Sequence, residues 1–131
     1  MNLSVEHIGL PARNPAALRD WYIANLGAEC IAPTGAEPPL FIRPPGSTAM
    51  IEIYRATGSN VMTEDNGLAG WRHLALRVDS IEVARKELEA RGVTFIDPIK
   101  PAAGGGRVLF FKDGEGNLLH LVDRPADTKV R

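Results

Sequence analysis

Four side chains that can bind a divalent metal stand at equivalent positions in two halves of the sequence. His7 and His73 recur at a shift of 66 residues, in HIGL and HLAL, and Glu52 and His120 at a shift of 68, in IEI and LHL. All three histidines of the chain belong to this set. Three imidazoles and one carboxylate suit Zn, Ni, Co, Mn or Fe(II) better than Ca or Mg. The pattern therefore predicts a divalent metal ion bound by His7, Glu52, His73 and His120.

Such a metal could serve either of two purposes. Four protein ligands in a tetrahedron would close the site and make it structural. Coordination by five or six ligands would leave room for two adjacent oxygens of a small substrate, and the ion would stabilise an enediolate or alkoxide. Glu52 is the one carboxylate of the set, so we predict it as the catalytic base. Taken singly, each residue is more often a packed or ion-paired strand residue, and the recurrence is what favours a site.

Each half of the chain shows the same series of secondary-structure elements. An apolar strand opens it, at about 3–10 and 71–78, and a helix follows with Asn14 or Ser80 as its N-cap. Glycine- and proline-rich turns separate further short strands, predicted at 28–32, 40–43, 49–54, 94–96, 107–112 and 118–123. The sequence therefore predicts an α+β fold of two βαβββ modules, whose eight strands form a concave cup with two outer helices.

The length of 131 residues fits a single domain, since domains usually run ~100–150 residues. Within it we predict module 1 at about 1–56, a polar linker at about 57–70 and module 2 at about 71–125. The tail, 126–131, is expected to fray.

Side chains alternate between the two faces of a strand, so the phase of the aliphatic residues fixes where the polar ones point. Ile8, Ile51, Leu74 and Leu119 must cover the helices, which turns the four candidate ligands toward the inside of the cup. On the same faces we predict three substrate-lining residues, Met50, Tyr54 and Trp71. Ordinary packing is the alternative role for each of them. Arg107 is added to that set because it follows a flexible loop, Gly104–Gly106, that could act as a lid. Arg43 is interpreted as a solvated strand end rather than as a carboxylate-binding residue.

Composition excludes several other classes of protein. Lys plus Arg is 15 against 16 acids, so the net charge is −1 and no basic stripe indicates a nucleic-acid partner. No apolar run approaches the ~20 residues that span a bilayer, so we expect no membrane partner. A single cysteine, Cys30, and an N-terminus without a basic leader favour a cytoplasmic location.

Three segments carry a family resemblance: EHIGL (6–10), HLALRVDSIEVARKELEARGV (73–93) and FFKDGEGNLLHLV (110–122). They resemble the vicinal oxygen chelate superfamily, which includes glyoxalase I, methylmalonyl-CoA epimerase, extradiol dioxygenases, and the fosfomycin and bleomycin resistance proteins. The resemblance implies paired βαβββ modules, a homodimer and a metal held by first and last strands. Those positions correspond to His7, Glu52, His73 and His120.

The chain departs from that family at its last strand. Most metal-using relatives have a glutamate where this chain has His120, and in the glyoxalase- and epimerase-like members that glutamate acts as the base. Proton transfer would then fall to Glu52. We predict a metal-dependent lyase or isomerase of glyoxalase type, acting on a small molecule with adjacent oxygens. The alternatives are a metal-dependent dioxygenase or epoxide-opening enzyme, and a metal-free protein that sequesters a ligand as the bleomycin binders do.

Overall fold

The computed structural model describes residues 1–59 and 62–130, and the chain divides into two compact units at residues 60 and 61. The predicted linker, 57–70, spans this boundary, and its residues 60 and 61 lie outside the described residues. Among the described helices, none has the length and apolar character needed to cross a membrane.

Unit 1 is a four-stranded sheet, sheet 1, with one helix packed on it. Its strand order is β1-β4-β3-β2, with β1 parallel to β4 and the other pairs antiparallel. The elements are β1 (His7–Ala12), α1 (Pro15–Leu26), β2 (Glu29–Ala32), β3 (Leu40–Arg43) and β4 (Met50–Arg55).

Helix α1 begins and ends where its sequence requires. The Asn14 side chain accepts a hydrogen bond from the amide of Ala17, and Gly27 ends the helix in the left-handed region at φ 70. Leu18, Tyr22 and Leu26 are buried. They recur at the spacing of one helix face, and each contributes roughly 1.5–3 kcal/mol on burial. This apolar face covers one side of sheet 1 and leaves the other side for function.

Unit 2 repeats the design with sheet 2. Its strand order, β5-β8-β7-β6, again places the first and last strands of the unit side by side and parallel. The elements are β5 (Leu74–Arg77), α2 (Ile81–Ala90), β6 (Phe95–Pro101), β7 (Arg107–Lys112) and β8 (Leu118–Asp123). The predicted α+β fold of two βαβββ modules is confirmed.

The opening strand of each unit starts later than the sequence suggests. β1 begins at His7 and β5 at Leu74, not at residues 3 and 71. Both are edge strands whose pairing is set by the neighbour: β4 begins opposite His7, and the pairing of β8 begins at Leu119 opposite Leu74. The apolar residues before His7 and Leu74 have the composition of a strand, but no neighbouring strand extends far enough to pair with them.

The tail, as far as it is described, makes hydrogen bonds to the β6–β7 loop and to β5. The Thr128 hydroxyl donates to the Gly104 carbonyl at 2.6 Å, and Arg77 donates to the Val130 carbonyl at 2.8 Å. Arg124 donates to two further carbonyls of the same loop. Residue 131 lies outside the described residues.

The loop itself is held close to β8. At Gly106, φ is 93, and a Cβ there would lie 2.0 Å from the Asp123 carbonyl oxygen. Only glycine fits such a conformation and such an approach. These contacts describe an anchored loop, in contrast to the flexible lid expected from its three consecutive glycines.

Candidate functional site

The side of sheet 1 that faces away from α1 carries the candidate residues of unit 1. Leu40, Ile42, Ile51 and Ile53 are buried on the helix side, so the alternate residues of the same strands point the other way. We call this surface open face 1; it consists of His7, Gly9, Glu29, Phe41, Arg43, Met50, Glu52 and Tyr54.

His7 and Glu52 come together at the centre of open face 1. His7 Nε2 lies 3.8 Å from Glu52 Oε2, and the two side chains are 38% and 26% exposed. The ring of Phe41 meets that of His7 edge-on, with 5.9 Å between centroids. Two donor atoms that share one ion at about 2.1 Å each lie at most about 4.2 Å apart, so the pair fits a common metal.

Tyr54 and Met50 lie beside this pair, as the sequence predicts for residues of the same strand face. Met50 is directly opposite His7, and Tyr54 covers Gly9, whose missing Cβ would lie 3.2 Å from the tyrosine ring. Tyr54 is partly exposed. Open face 1 therefore offers aromatic surface next to a possible ligand pair.

Unit 2 presents the corresponding surface, open face 2, formed by His73, Ala75, Phe110, Lys112 and His120. The rings of His73 and His120 are 4.6 Å apart, and the ring of Phe110 lies 5.0 Å from that of His120. Burial lowers the pKa of His120, and the neighbouring His73 lowers it further. A histidine with a lowered pKa is neutral at physiological pH, which is the state that binds metals.

All three histidines have the same hydrogen-bonding arrangement. In each, Nδ1 faces an oxygen: Glu6 Oε1 for His7 at 3.3 Å, Asn66 Oδ1 for His73 at 2.7 Å and the Leu121 carbonyl for His120 at 3.2 Å. Such acceptors favour the tautomer with hydrogen on Nδ1 and leave the lone pair on Nε2. Metal-binding histidines are oriented in this way by their second nitrogen.

Each unit therefore presents two donor side chains of a chemistry that suits a divalent ion. Among the described residues, no group of three or more His, Cys, Asp or Glu side chains is arranged to hold an ion. The four-ligand set predicted from the sequence stays a prediction.

Two of the predicted substrate-lining residues are not on the open faces. Arg107 shares its strand side with the buried Leu109 and Phe111, and its guanidinium binds Glu82 of α2 and Asp123 of β8. Arg107 was predicted to line the substrate site because it follows a glycine loop, and the sequence around it contains no sign of these two partners.

Trp71 lies before β5, and its side chain is 97% exposed. Because the strand starts three residues later, the alternation that was meant to point Trp71 inward does not apply to it.

Four residues of the site were missed at the level of the sequence. Phe41 and Phe110 lie opposite Glu52 and His120 on the adjacent strands, so the repeat and the strand phase together could have found them. Glu6 adjoins a candidate ligand and could have been considered. Asn66 lies outside the helices and strands, where no periodicity signals a contact with His73.

Comparison with known proteins agrees with this fold. A family model described as Glyoxalase/Bleomycin resistance protein/Dioxygenase superfamily matches residues 4–121. A crystal structure of a member of that superfamily from Sphaerobacter thermophilus DSM 20745 is 25% identical with a TM-score of 0.70, over 94% of this chain and 98% of the other. TnmS3, an antibiotic binding protein from Streptomyces sp. CB03234, is 23% identical with a TM-score of 0.69, over 95% and 99%. No curated protein matches.

Proposed function

The chain belongs to the glyoxalase/bleomycin resistance protein/dioxygenase superfamily, and on that premise we propose that it is a metal-dependent enzyme with His7, Glu52, His73 and His120 as ligands. The observation that carries the proposal is the shared histidine arrangement, with Nδ1 facing an oxygen and Nε2 left for a ligand. Because structural and catalytic sites usually need at least three protein ligands, the proposal requires both pairs to bind one ion, from one chain or from two copies.

The proposed reaction is a lyase or isomerase reaction of glyoxalase type on a small molecule with adjacent oxygens. A bound divalent ion would supply Lewis-acid stabilisation of negative charge on those oxygens. Glu52 would move the proton, since its carboxylate is partly exposed beside His7, where a substrate could reach it. Tyr54, Phe41 and Met50 would contact the apolar part of the substrate and exclude water from it.

Elemental analysis of the untagged protein tests the metal. We expect wild type to retain one transition-metal ion per chain, and the His7→Ala and Glu52→Gln variants to retain much less. Glu37→Gln, in the exposed loop between β2 and β3, is the matched control for the change of charge and should keep the metal. Negligible metal in wild type and variants alike, even after incubation with Zn or Ni, would refute the proposal.

One observation favours a second candidate, a protein that sequesters a ligand without a metal. Aromatic rings line both open faces, and TnmS3 is described as an antibiotic binding protein. Planar rings bind apolar ligands well without any metal. A drug-like aromatic molecule that binds equally before and after treatment with EDTA would support this function. Oxygen uptake that depends on added iron would instead indicate a dioxygenase.

We also propose a homodimer as the assembly. Large apolar side chains are exposed in each unit, including Leu3 and Val5 before β1 and Trp71 before β5, and exposed apolar groups of this kind mark interfaces. Val5 belongs to a series of exposed apolar residues with Met1, Leu3 and Ile8. Val83 is exposed to nearly the same extent, at 67% against 66%, but it is isolated among charged residues of α2 such as Glu82 and Lys86. We expect Val5→Asp to shift sedimentation toward the monomer and Val83→Asp, on α2, to leave it unchanged. A monomeric wild type would refute the dimer.

A further inference from the structure

Arg43, at the end of β3, has a hydrogen-bond donor that no described protein atom accepts. Its Nε is buried without a hydrogen-bond partner. The nearest carboxylate, of Glu29, lies 3.6 Å from Nη1, which is too long for a good hydrogen bond. By contrast, the guanidinium of Arg85 is bonded to carboxylates at 2.7 Å. A buried, unsatisfied donor on a charged group indicates a missing acceptor. The strand end expected to be solvated is therefore solvated only in part, with 37% of the side chain exposed and Nε buried.

Arg43 lies on open face 1, in the same row as His7. Arg43 pairs with Glu29 on β2, and the β3–β4 register, continued by one residue, puts it beside Met50, which is opposite His7. Adjacent strands are about 4.8 Å apart, so the backbones of Arg43 and His7 are separated by about 10 Å across the sheet. An oxyanion held by Arg43 would thus leave the rest of a small molecule over Met50 and close to His7 and Glu52.

At the position in unit 2 that corresponds to Arg43, the cationic side chain has a carboxylate partner. Lys112 ends β7 as Arg43 ends β3, and its ammonium is paired with the carboxylate of Glu64. Within the described part of the chain, the one carboxylate near Arg43 is that of Glu29, which is mostly exposed and makes the long contact. The two repeats have therefore diverged at this position. The guanidinium donors of Arg43 that have no acceptor are on open face 1, which also carries Glu52.

We propose that Arg43 is a substrate-anchoring residue that binds an oxyanion, either a carboxylate or a phosphate, by a two-pronged hydrogen bond. The guanidinium fork matches both groups in geometry, and 37% of the side chain is exposed, so a ligand can reach Nη1 and Nη2 although Nε is buried. This inference rests on the proposed function in placing the substrate on open face 1. It adds that the substrate is an anion, held at the Arg43 end of the row that crosses Met50 to His7.

The experiment is an anion titration of metal-free protein, prepared with EDTA, in which two-dimensional NMR follows the arginine Nε–H signals. The probes are inorganic phosphate and acetate, added separately. We expect one arginine signal to shift with saturation at millimolar anion, and Arg43→Lys, which keeps the charge but loses the fork, to weaken binding by about fivefold or more. Arg55→Lys, at the end of β4, is the matched control and should bind as wild type does. Glu29→Gln removes the competing carboxylate and should tighten binding by about twofold.

Each outcome of the titration supports or refutes the proposed anion binding by Arg43, which we call the anchor. Saturation by phosphate indicates a phosphate ester as the substrate class and saturation by acetate a carboxylate, and either supports the anchor if Arg43→Lys weakens it. A wild type that does not saturate with either anion, or an Arg43→Lys protein that binds equally well, overturns it. Because the protein is metal-free, anion binding without any metal affinity would refute the proposed function alone, and metal affinity without anion binding would refute the anchor alone.

Discussion

Asn66 offers a test of the site that does not alter any candidate ligand. Its Oδ1 lies 2.7 Å from His73 Nδ1, and an acceptor at that distance keeps the hydrogen on Nδ1 and the lone pair on Nε2. Asn66→Ala would leave His73 in place but free to rotate and to change tautomer. We expect the variant to bind metal more weakly although every proposed ligand is still present.

The expected size of the effect follows from the role of such outer contacts. Loss of a hydrogen-bond partner behind a metal-binding histidine typically weakens metal affinity by about 10- to 100-fold. That range corresponds to about 1.4–2.8 kcal/mol of binding free energy. The contact is short and its acceptor is a side chain, so it can be removed without touching the backbone of β5.

The assay is a competition titration of zinc between the protein and a coloured chelator. Asn25→Ala is the matched control, since Asn25 donates within α1, to the Trp21 carbonyl at 3.0 Å, and its loss should leave affinity unchanged. Asn66→Asp keeps an oxygen behind Nδ1 and should bind at least as tightly as wild type. If Asn66→Ala matches wild type while His73→Ala weakens binding, the contact does not orient the ring. If His73→Ala also matches wild type, His73 is not a ligand.

Three further predictions concern proton transfer, acid stability and the β6–β7 loop. Glu52→Gln should lower kcat by about 10²–10⁴-fold in a glyoxalase-type assay, and an unchanged kcat would remove it as the base. The Arg107 guanidinium, as the main cause, lowers the pKa of Glu82 to about 2, so this pair stabilises the fold above pH ~4.5 and loses its effect as the pH falls toward 2. The difference in unfolding free energy between wild type and Arg107→Gln, measured by urea titration, should therefore shrink over that range, and a constant difference would contradict the pairing. Gly106→Ala should cost about 2 kcal/mol or more in the same assay, because its Cβ would meet a carbonyl of β8, whereas Gly35→Ala, with nothing within 4 Å, should cost little.

Most strands that lie between turn residues could be predicted to within a residue, but β6, expected at 94–96, runs Phe95–Pro101. Leu40–Arg43, Arg107–Lys112 and Leu118–Asp123 have the bounds expected from alternation and composition. The starts of β1 and β5 were not predictable in this way, because their limits are set by where a partner strand begins. A periodic pattern reports which residues can be buried, and pairing decides which of them become a strand.

In the candidate site, too, contacts set by strand alternation could be predicted from the sequence, and contacts set by the three-dimensional structure could not. Alternation was sufficient to bring His7 to Glu52, which lie on neighbouring strands of sheet 1. His73 lies one residue before β5, so its approach to His120 does not follow from alternation alone. Alternation could not find Asn66, which reaches its histidine from an irregular segment. Nor could it show that Arg43 has a buried donor without an acceptor, because that fact depends on which carboxylates approach the guanidinium in three dimensions.

The difference between the two repeats at the last strand of each module bears on which residue would transfer the proton in the proposed reaction. Glu52 and His120 occupy the same place in their modules, but Glu52 is partly exposed and His120 is 6% exposed. A buried imidazole with a lowered pKa stays neutral and keeps its lone pair, so it can hold a metal but has little tendency to take up a proton. A partly exposed carboxylate can do both. Under the proposed function the acid–base role would therefore fall to Glu52 in unit 1, which is also where Arg43 would hold the substrate.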